Sequence, residues 1–130
     1  MASWKSPKFM YAKILNKALS KLPGYSGVTI RNTPLSSELQ MRYQPGNVVM
    51  EHGFTGTSKQ KPNGVFSGNT RFYIKGIGKR AADISEMYGF QGEGEVLYQA
   101  HTAFHVDKVE GQVGSDGEAS YKVYMTELEV

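Results

Sequence analysis

Phe90-Gln-Gly-Glu-Gly-Glu-Val-Leu-Tyr98 changes character at its midpoint, where a glycine-rich turn carrying Glu93 and Glu95 becomes an apolar run. Val96–Tyr98 reads as a strand. If the extended backbone already begins at Glu95, its period of two points Glu93 and Glu95 to one side of the strand start, with Gly94 between them. Like charges held that close are costly unless a cation, a ligand or a reaction uses them. The competing reading is a solvated turn that merely opens a strand.

Outward from that stretch the chain is strand-rich. Thr102–Val109 reads as a strand, a hairpin turns around Gly114–Gly117, and a last strand runs from Tyr121 to about Glu129. Upstream, Val28–Arg31, Val48–Met50, Arg71–Ile74 and Ala81–Ser85 read as separate short strands. Val28 and Ile30 should share one face, with Thr29 and Arg31 facing away from the core. Tyr43–Asn47 is a turn of type II character, and Lys59–Asn69 and Glu86–Gly94 are loops. Lys75–Arg80 holds two glycines but lacks P-loop spacing, which excludes a nucleotide triphosphatase of that kind.

The leading segment is helical. Ile14, Leu15, Ala18 and Leu19 recur at helical spacing opposite Lys13, Lys17 and Lys21, so a helix is expected over about 9–21 with that stripe as core. Residues 1–8 are a lead-in. Pro34–Arg42 fits a second, short helix with Leu39 and Met41 as core contacts. One or two helices followed by many short strands predict a single α+β domain over residues 1–130, a mixed core of two small packed sheets.

Composition narrows the function. At 130 residues with 39% apolar side chains, the chain is sized for one globular core. No apolar run is long enough for a spanning helix, and Met1–Pro7 lacks the apolar centre of a cleaved signal peptide. With no cysteine, disulfides and thiolate chemistry are excluded. The net charge is +3, yet residues 1–80 carry 13 Lys/Arg against Glu38 and Glu51. Residues 81–130 carry two Lys against ten Asp/Glu. Such a split suits a basic wall facing an acidic one across a cleft, and a basic wall suits a phosphorylated ligand or nucleic acid.

Several chemistries compete for the paired glutamates. His52, His101 and His105 are the only histidines. Read as extended chain, His101 and His105 would stand about 13 Å apart, so no zinc site and no metal cofactor are expected. A glycoside hydrolase would need two carboxylates at least ~5 Å apart, but a basic opposite wall is poor equipment for sugars. A non-catalytic nucleic-acid module could stack bases on Tyr11, Tyr43, Phe66, Phe72 and Tyr73. A third reading uses more of the chain. Arg31 clamps a diphosphate, the small and hydroxyl residues around Phe54 line a ring pocket, and the glutamates work on a ribose.

The ordered series GVTIR (27–31), YQPGNVVMEHGFTGTS (43–58), GKRAADISEMYGFQGEGEVLY (78–98) and TAFHV (102–106) resembles the arginine–serine–glutamate branch of the mono-ADP-ribosyltransferases. The helix ILNKALSKLPGYSG before the first motif resembles the one in bacterial toxins and effectors of that branch, and the likeness covers roughly residues 11–110. It implies an ADP-ribosyltransferase-like fold and transfer of ADP-ribose from NAD, the co-substrate, to an arginine of a target protein. In that pattern Arg31 binds NAD phosphate and braces the site, and Phe54 is the aromatic near the nicotinamide. Thr55 and Gly56 follow within the cofactor-binding segment, and Thr57 and Ser58 match the last two letters of Ser-Thr-Ser. Glu95 is the catalytic glutamate on the nicotinamide ribose, and Glu93 serves the arginine acceptor. Tyr88 and Phe90 lie in the loop that recognises the target.

Gly56 departs from the pattern. It stands where the family carries a serine that holds the catalytic glutamate, which leaves that support to Thr55, Thr57 or water. NAD glycohydrolysis and ADP-ribosylation of RNA remain alternative activities. The resemblance further implies a secreted or injected effector of bacterial competition acting in the target-cell cytoplasm. It also implies an inhibitory immunity protein as partner and no insertion into a membrane.

Overall fold

A computed structural model of the chain describes residues 7–59, 68–85 and 94–129. The first helix, α1 (Pro7–Ser20), opens on a proline, which fits the first turn because its missing N–H would have no partner there. It takes in Pro7 and Lys8, which the sequence assigns to the lead-in. Leu19 is buried with Ala82 and Ile84, and Leu15 packs against the same cluster. Ile14, at 66% exposure, and Ala18 instead face outward, so the apolar stripe expected to be core is only half used. Asn16 takes the remaining inward position, its Oδ1 accepting from the Ala100 amide at 2.9 Å.

After β1 (Gly24–Thr33) comes the one-turn helix α2 (Ser37–Gln40), capped by Ser36, whose hydroxyl accepts from Leu39 N at 3.2 Å. Leu39 and Met41 are exposed, against expectation; Leu35 packs on the core in their place. Four residues are too few to turn an apolar face inward when the cap already fixes the turn's orientation. The turn before β2 (Val48–Glu51) is as expected, with Gly46 at φ 91° and Asn47 N bonded to Gln44 O at 3.0 Å.

The strands β3 (Thr55–Ser58), β4 (Thr70–Asp83), β5 (Glu95–Tyr98), β6 (Thr102–Val113) and β7 (Ala119–Glu127) complete the fold. Hydrogen bonding runs β1-β3-β5-β4-β7-β6-β2, with β1 also paired to β4. β4 is one strand of 14 residues, where the sequence suggests two short strands and a glycine link. Its first half pairs with β1 on one side and, in parallel, with β7 on the other. Its last residues pair with β5, Ala81 opposite Tyr98 and Asp83 opposite Val96. The expected α+β core is present, its strands joined into one seven-stranded sheet in which β4 is shared by β1, β5 and β7. At the junction Gly78 takes φ 84°, and the Glu127 carboxylate, 1% exposed, accepts from Ile77 N and Arg80 N, both at 2.9 Å.

The core holds Phe72, Ile74, Val96, Tyr98, Phe104, Val106, Val123 and Met125. Tyr98 meets Phe104 edge to face with centroids 5.1 Å apart. Tyr43 and Phe72 belong to this core and are withdrawn from the stacking surface of the nucleic-acid reading, while Phe66 lies outside the described residues. The faces of β1 are the reverse of expectation. Thr29 is fully buried, whereas Val28 is 55% exposed. Arg31 lies two residues on from Thr29 and therefore projects on the core side, at the core's open end. No helix among the described residues is long and apolar enough to cross a membrane.

Candidate active site

β3 and β5 build the centre of the site. Their register sets Ser58 opposite Glu95, Thr57 opposite Val96 and Gly56 opposite Leu97. Alternation then divides the segment. Thr55 and Thr57 point into the core, and the Thr57 hydroxyl donates to Val96 O at 2.8 Å. Gly56 and Ser58 face the other way, with Glu95. A β-carbon on Gly56 would stand 3.3 Å from Glu95 Oε2. Neither Thr55 nor Thr57 replaces a serine at position 56, because both hydroxyls lie on the opposite side of the strand. Of the supports expected for Glu95, the strand's own pleat removes the two threonines.

Arg31 reaches the same place from β1, where Ile30 pairs with Ser58. Its Nη1 donates to Gly56 O at 3.1 Å. A guanidinium keeps further donors in its rigid fork after making that bond, and they suit phosphate oxygens. Ile30, Arg31, Asn32, Gly56, Thr57, Ser58 and Glu95 line one groove of about 410 Å³. A second cavity, of about 160 Å³, lies on the other side of Arg31 and is lined by Phe54, Thr55, Tyr43, Glu51 and Phe72 among others. Arg31 borders both.

The second cavity holds a pair that the sequence does not announce. Tyr43 donates to Glu51 Oε2 at 2.5 Å, and burial together with the Glu51 carboxylate pushes the Tyr43 phenol above its ordinary range. Pro45–Gly46 turns the chain between these residues, and tertiary pairing of β2 with β6 completes their approach. Of the residues expected in the site, Arg31, Phe54, Thr55, Gly56, Thr57, Ser58 and Glu95 thus gather around two adjoining spaces. Glu93, Tyr88 and Phe90 lie outside the described residues.

No protein-family model matches the chain. A protein of Mycobacterium avium (strain 104) named "Putative NAD(+)--arginine ADP-ribosyltransferase Mav" is 38% identical over 95 residues, which are 71% of this chain and 11% of that protein. NAD(+)--protein-arginine ADP-ribosyltransferase Tre1 of Serratia proteamaculans (strain 568) is 35% identical over 88 residues, 68% of this chain and 19% of its own length. The chain is an ADP-ribosyltransferase-like domain.

Solved structures agree on the fold of this ADP-ribosyltransferase-like domain. The Salmonella SpvB ATR domain superposes with a TM-score of 0.76 at 19% identity, over 92% of this chain and 71% of that one. Plx2a, an ADP-ribosyltransferase toxin from Paenibacillus larvae, gives 0.75 at 18% identity, over 95% and 73%. The catalytic domain of VahC from Aeromonas hydrophila gives 0.75 at 22%, over 92% and 69%. The chain spans only about a tenth to a fifth of the two sequence relatives.

Proposed function

We propose that this domain transfers ADP-ribose from NAD to an arginine side chain of a target protein and releases nicotinamide. The observation that carries the reading is the convergence of Arg31, Gly56, Ser58 and Glu95 on one groove, from three strands far apart in sequence. The names of the Mycobacterium and Serratia relatives support NAD as donor and arginine as acceptor.

In this scheme the diphosphate lies against the guanidinium of Arg31, whose bond to Gly56 O holds it in one orientation. Binding energy spent there fixes the ribose for reaction. The bond from ribose C1′ to the nicotinamide nitrogen breaks, its electron pair leaves with nicotinamide, and positive charge grows on the ribose. The Glu95 carboxylate stabilises that charge and accepts a hydrogen bond from the 2′-hydroxyl. A guanidinium nitrogen of the acceptor then forms the new bond to C1′, and its proton passes to Glu93. Because an arginine side chain has a pKa above about 12, that proton leaves as the bond forms, not before.

Around this chemistry the domain works as a secreted or injected effector in the target-cell cytoplasm. Tyr88 and Phe90 meet the target, and an immunity protein inhibits the enzyme in its producer. The test incubates the chain with labelled NAD and a bacterial lysate, then treats the product with protease or nuclease. Label released by protease and resistant to nuclease is expected. Nuclease-sensitive label would make RNA the acceptor, and free ADP-ribose alone would make the chain an NAD glycohydrolase. Replacing Glu93 should reduce transfer far more than NAD hydrolysis; equal loss of both would remove its acceptor role.

A further inference from the structure

His52 follows β2 and His101 lies in the turn between β5 and β6, yet their Nδ1 atoms stand 3.3 Å apart. The rings meet edge-on, with centroids 5.4 Å apart and planes at 74°. Both side chains are exposed, and neither lines the two spaces around Arg31. The third histidine, His105, is paired separately with Asp107 at 2.6 Å.

The turn that presents His101 is held on every side. Gln99 N bonds Arg80 O, Ala100 N bonds Asn16 Oδ1, and His101 N bonds Glu51 O at 2.8 Å. The Arg80 guanidinium donates to Ala100 O at 2.7 Å and to Thr102 Oγ1 at 3.0 Å. Within this frame His101 has φ 64°, the one positive value at a non-glycine residue among the described residues. A left-handed backbone at such a residue persists only where its surroundings over-determine it. His52 is carried to the same spot because Glu51, beside it, pairs with Thr102 at the end of the β2–β6 ladder. Two imidazoles 49 residues apart in sequence are thereby presented from anchored backbone.

Their separation has a chemical meaning. Tetrahedral zinc binds imidazole nitrogen at about 2.0–2.1 Å, so two such ligands lie about 3.3–3.4 Å from each other. Imidazole nitrogen favours zinc, nickel and copper over magnesium and calcium. We propose that His52 and His101 form a two-histidine chelate for a late first-row divalent cation of the zinc class, with solvent in the remaining positions. Neither imidazole lines the spaces around Arg31, so metal binding here does not rest on the transfer chemistry. Its physical effect is to tie the end of β2 to the β5–β6 turn, which stabilises the folded chain by mass action.

Zinc titrated into the full chain tests this, read by the histidine ring resonances and by the melting temperature. A saturable one-to-one complex is expected, with the His52 and His101 resonances moving, those of His105 unchanged, and the melting temperature rising with zinc. His52→Asn and His101→Asn should each weaken binding about a hundredfold, the loss of one arm of a chelate, and His105→Asn should not. Asparagine tolerates the left-handed backbone, so the change at 101 leaves the turn able to fold. Absence of saturable binding at millimolar zinc would overturn the proposal and leave the pair a simple hydrogen bond. Binding that survives both single changes, or that moves His105 instead, would overturn it equally.

Discussion

Gly56 lies diagonal to Glu95 on the same side of the β3–β5 pair, so close that a β-carbon there would stand 3.3 Å from Oε2. The carboxylate is the movable end of a flexible side chain, so it can yield the few tenths of an ångström that a real side chain needs. Gly56→Ser then places a hydroxyl where it donates to Glu95. Such a bond contributes about 1 kcal/mol, so nicotinamide release should rise about fivefold in kcat with KM for NAD little changed. A correctly folded Gly56→Ser protein with unchanged or slower release would show that Glu95 needs no such partner.

Glu95→Gln keeps the shape of the side chain and removes its charge. Losing stabilisation of the developing positive ribose should lower transfer by about a hundredfold or more. NAD affinity should hold within about threefold, since an interaction made mainly in the transition state leaves ground-state binding alone. Rate and affinity falling together, in a protein with an unaltered melting curve, would assign Glu95 to binding instead.

Glu127 has a structural task at the bend of β4. Its carboxylate accepts from the part-buried amides of Ile77 and Arg80, and beyond that bend Ala81–Asp83 pair with the strand that carries Glu95. Each orphaned buried N–H costs roughly 1–3 kcal/mol, so Glu127→Ala should lower stability by about 2–5 kcal/mol. Glu127→Gln keeps one acceptor and should cost about half as much. Urea unfolding measures both, and amide exchange at Ile77 and Arg80 should quicken in the alanine variant. Wild-type stability in Glu127→Ala would refute this role.

Asp83 gives a pH signature. The hydrogen bond from the Lys59 ammonium, then that from the Ser85 hydroxyl, holds its carboxyl down from 3.8 to about 2. A folded-state pKa below the unfolded one gives stability that is present above about pH 4 and fades as the pH falls towards 2. The side chain is 35% exposed, so solvent screening keeps the effect under about 1 kcal/mol. Asp83→Asn should therefore be slightly less stable at neutral pH, with its urea midpoint meeting that of wild type between pH 4 and 2. A gap of constant size across that range would mean the pair contributes through packing, not charge.

Much of the fold is legible in local pattern. Leu15 and Leu19 at helical spacing, the Pro45–Gly46 turn and the apolar run after Glu95 each declare their element, because each is decided within a few residues. β4 is not legible. Gly76 and Gly78 weaken any strand propensity of Lys75–Arg80, and the strand continues there through β1 beside it and the Glu127 clamp on its bend. The faces of β1 mislead for a related reason. A lone strand with β-branched residues at 28, 29 and 30 has two plausible inner faces, and only its partners choose Thr29 over Val28.

By itself, the sequence determined the order of the elements, the absence of cysteine chemistry, and the residue types from which a site could be made. Arg31, the Phe54–Ser58 segment and Glu95 stand out in the sequence because their motifs keep order and spacing along the chain. Tertiary structure decided which of them meet. Pairing of β3 with β5 set Ser58 opposite Glu95 with Gly56 on the same side, and it sent the threonine hydroxyls into the core. It also joined His52 to His101 and Tyr43 to Glu51. The physical reason is that a side chain's direction follows from local backbone, whereas its neighbour across a sheet follows from pairing between distant segments, which no local pattern records.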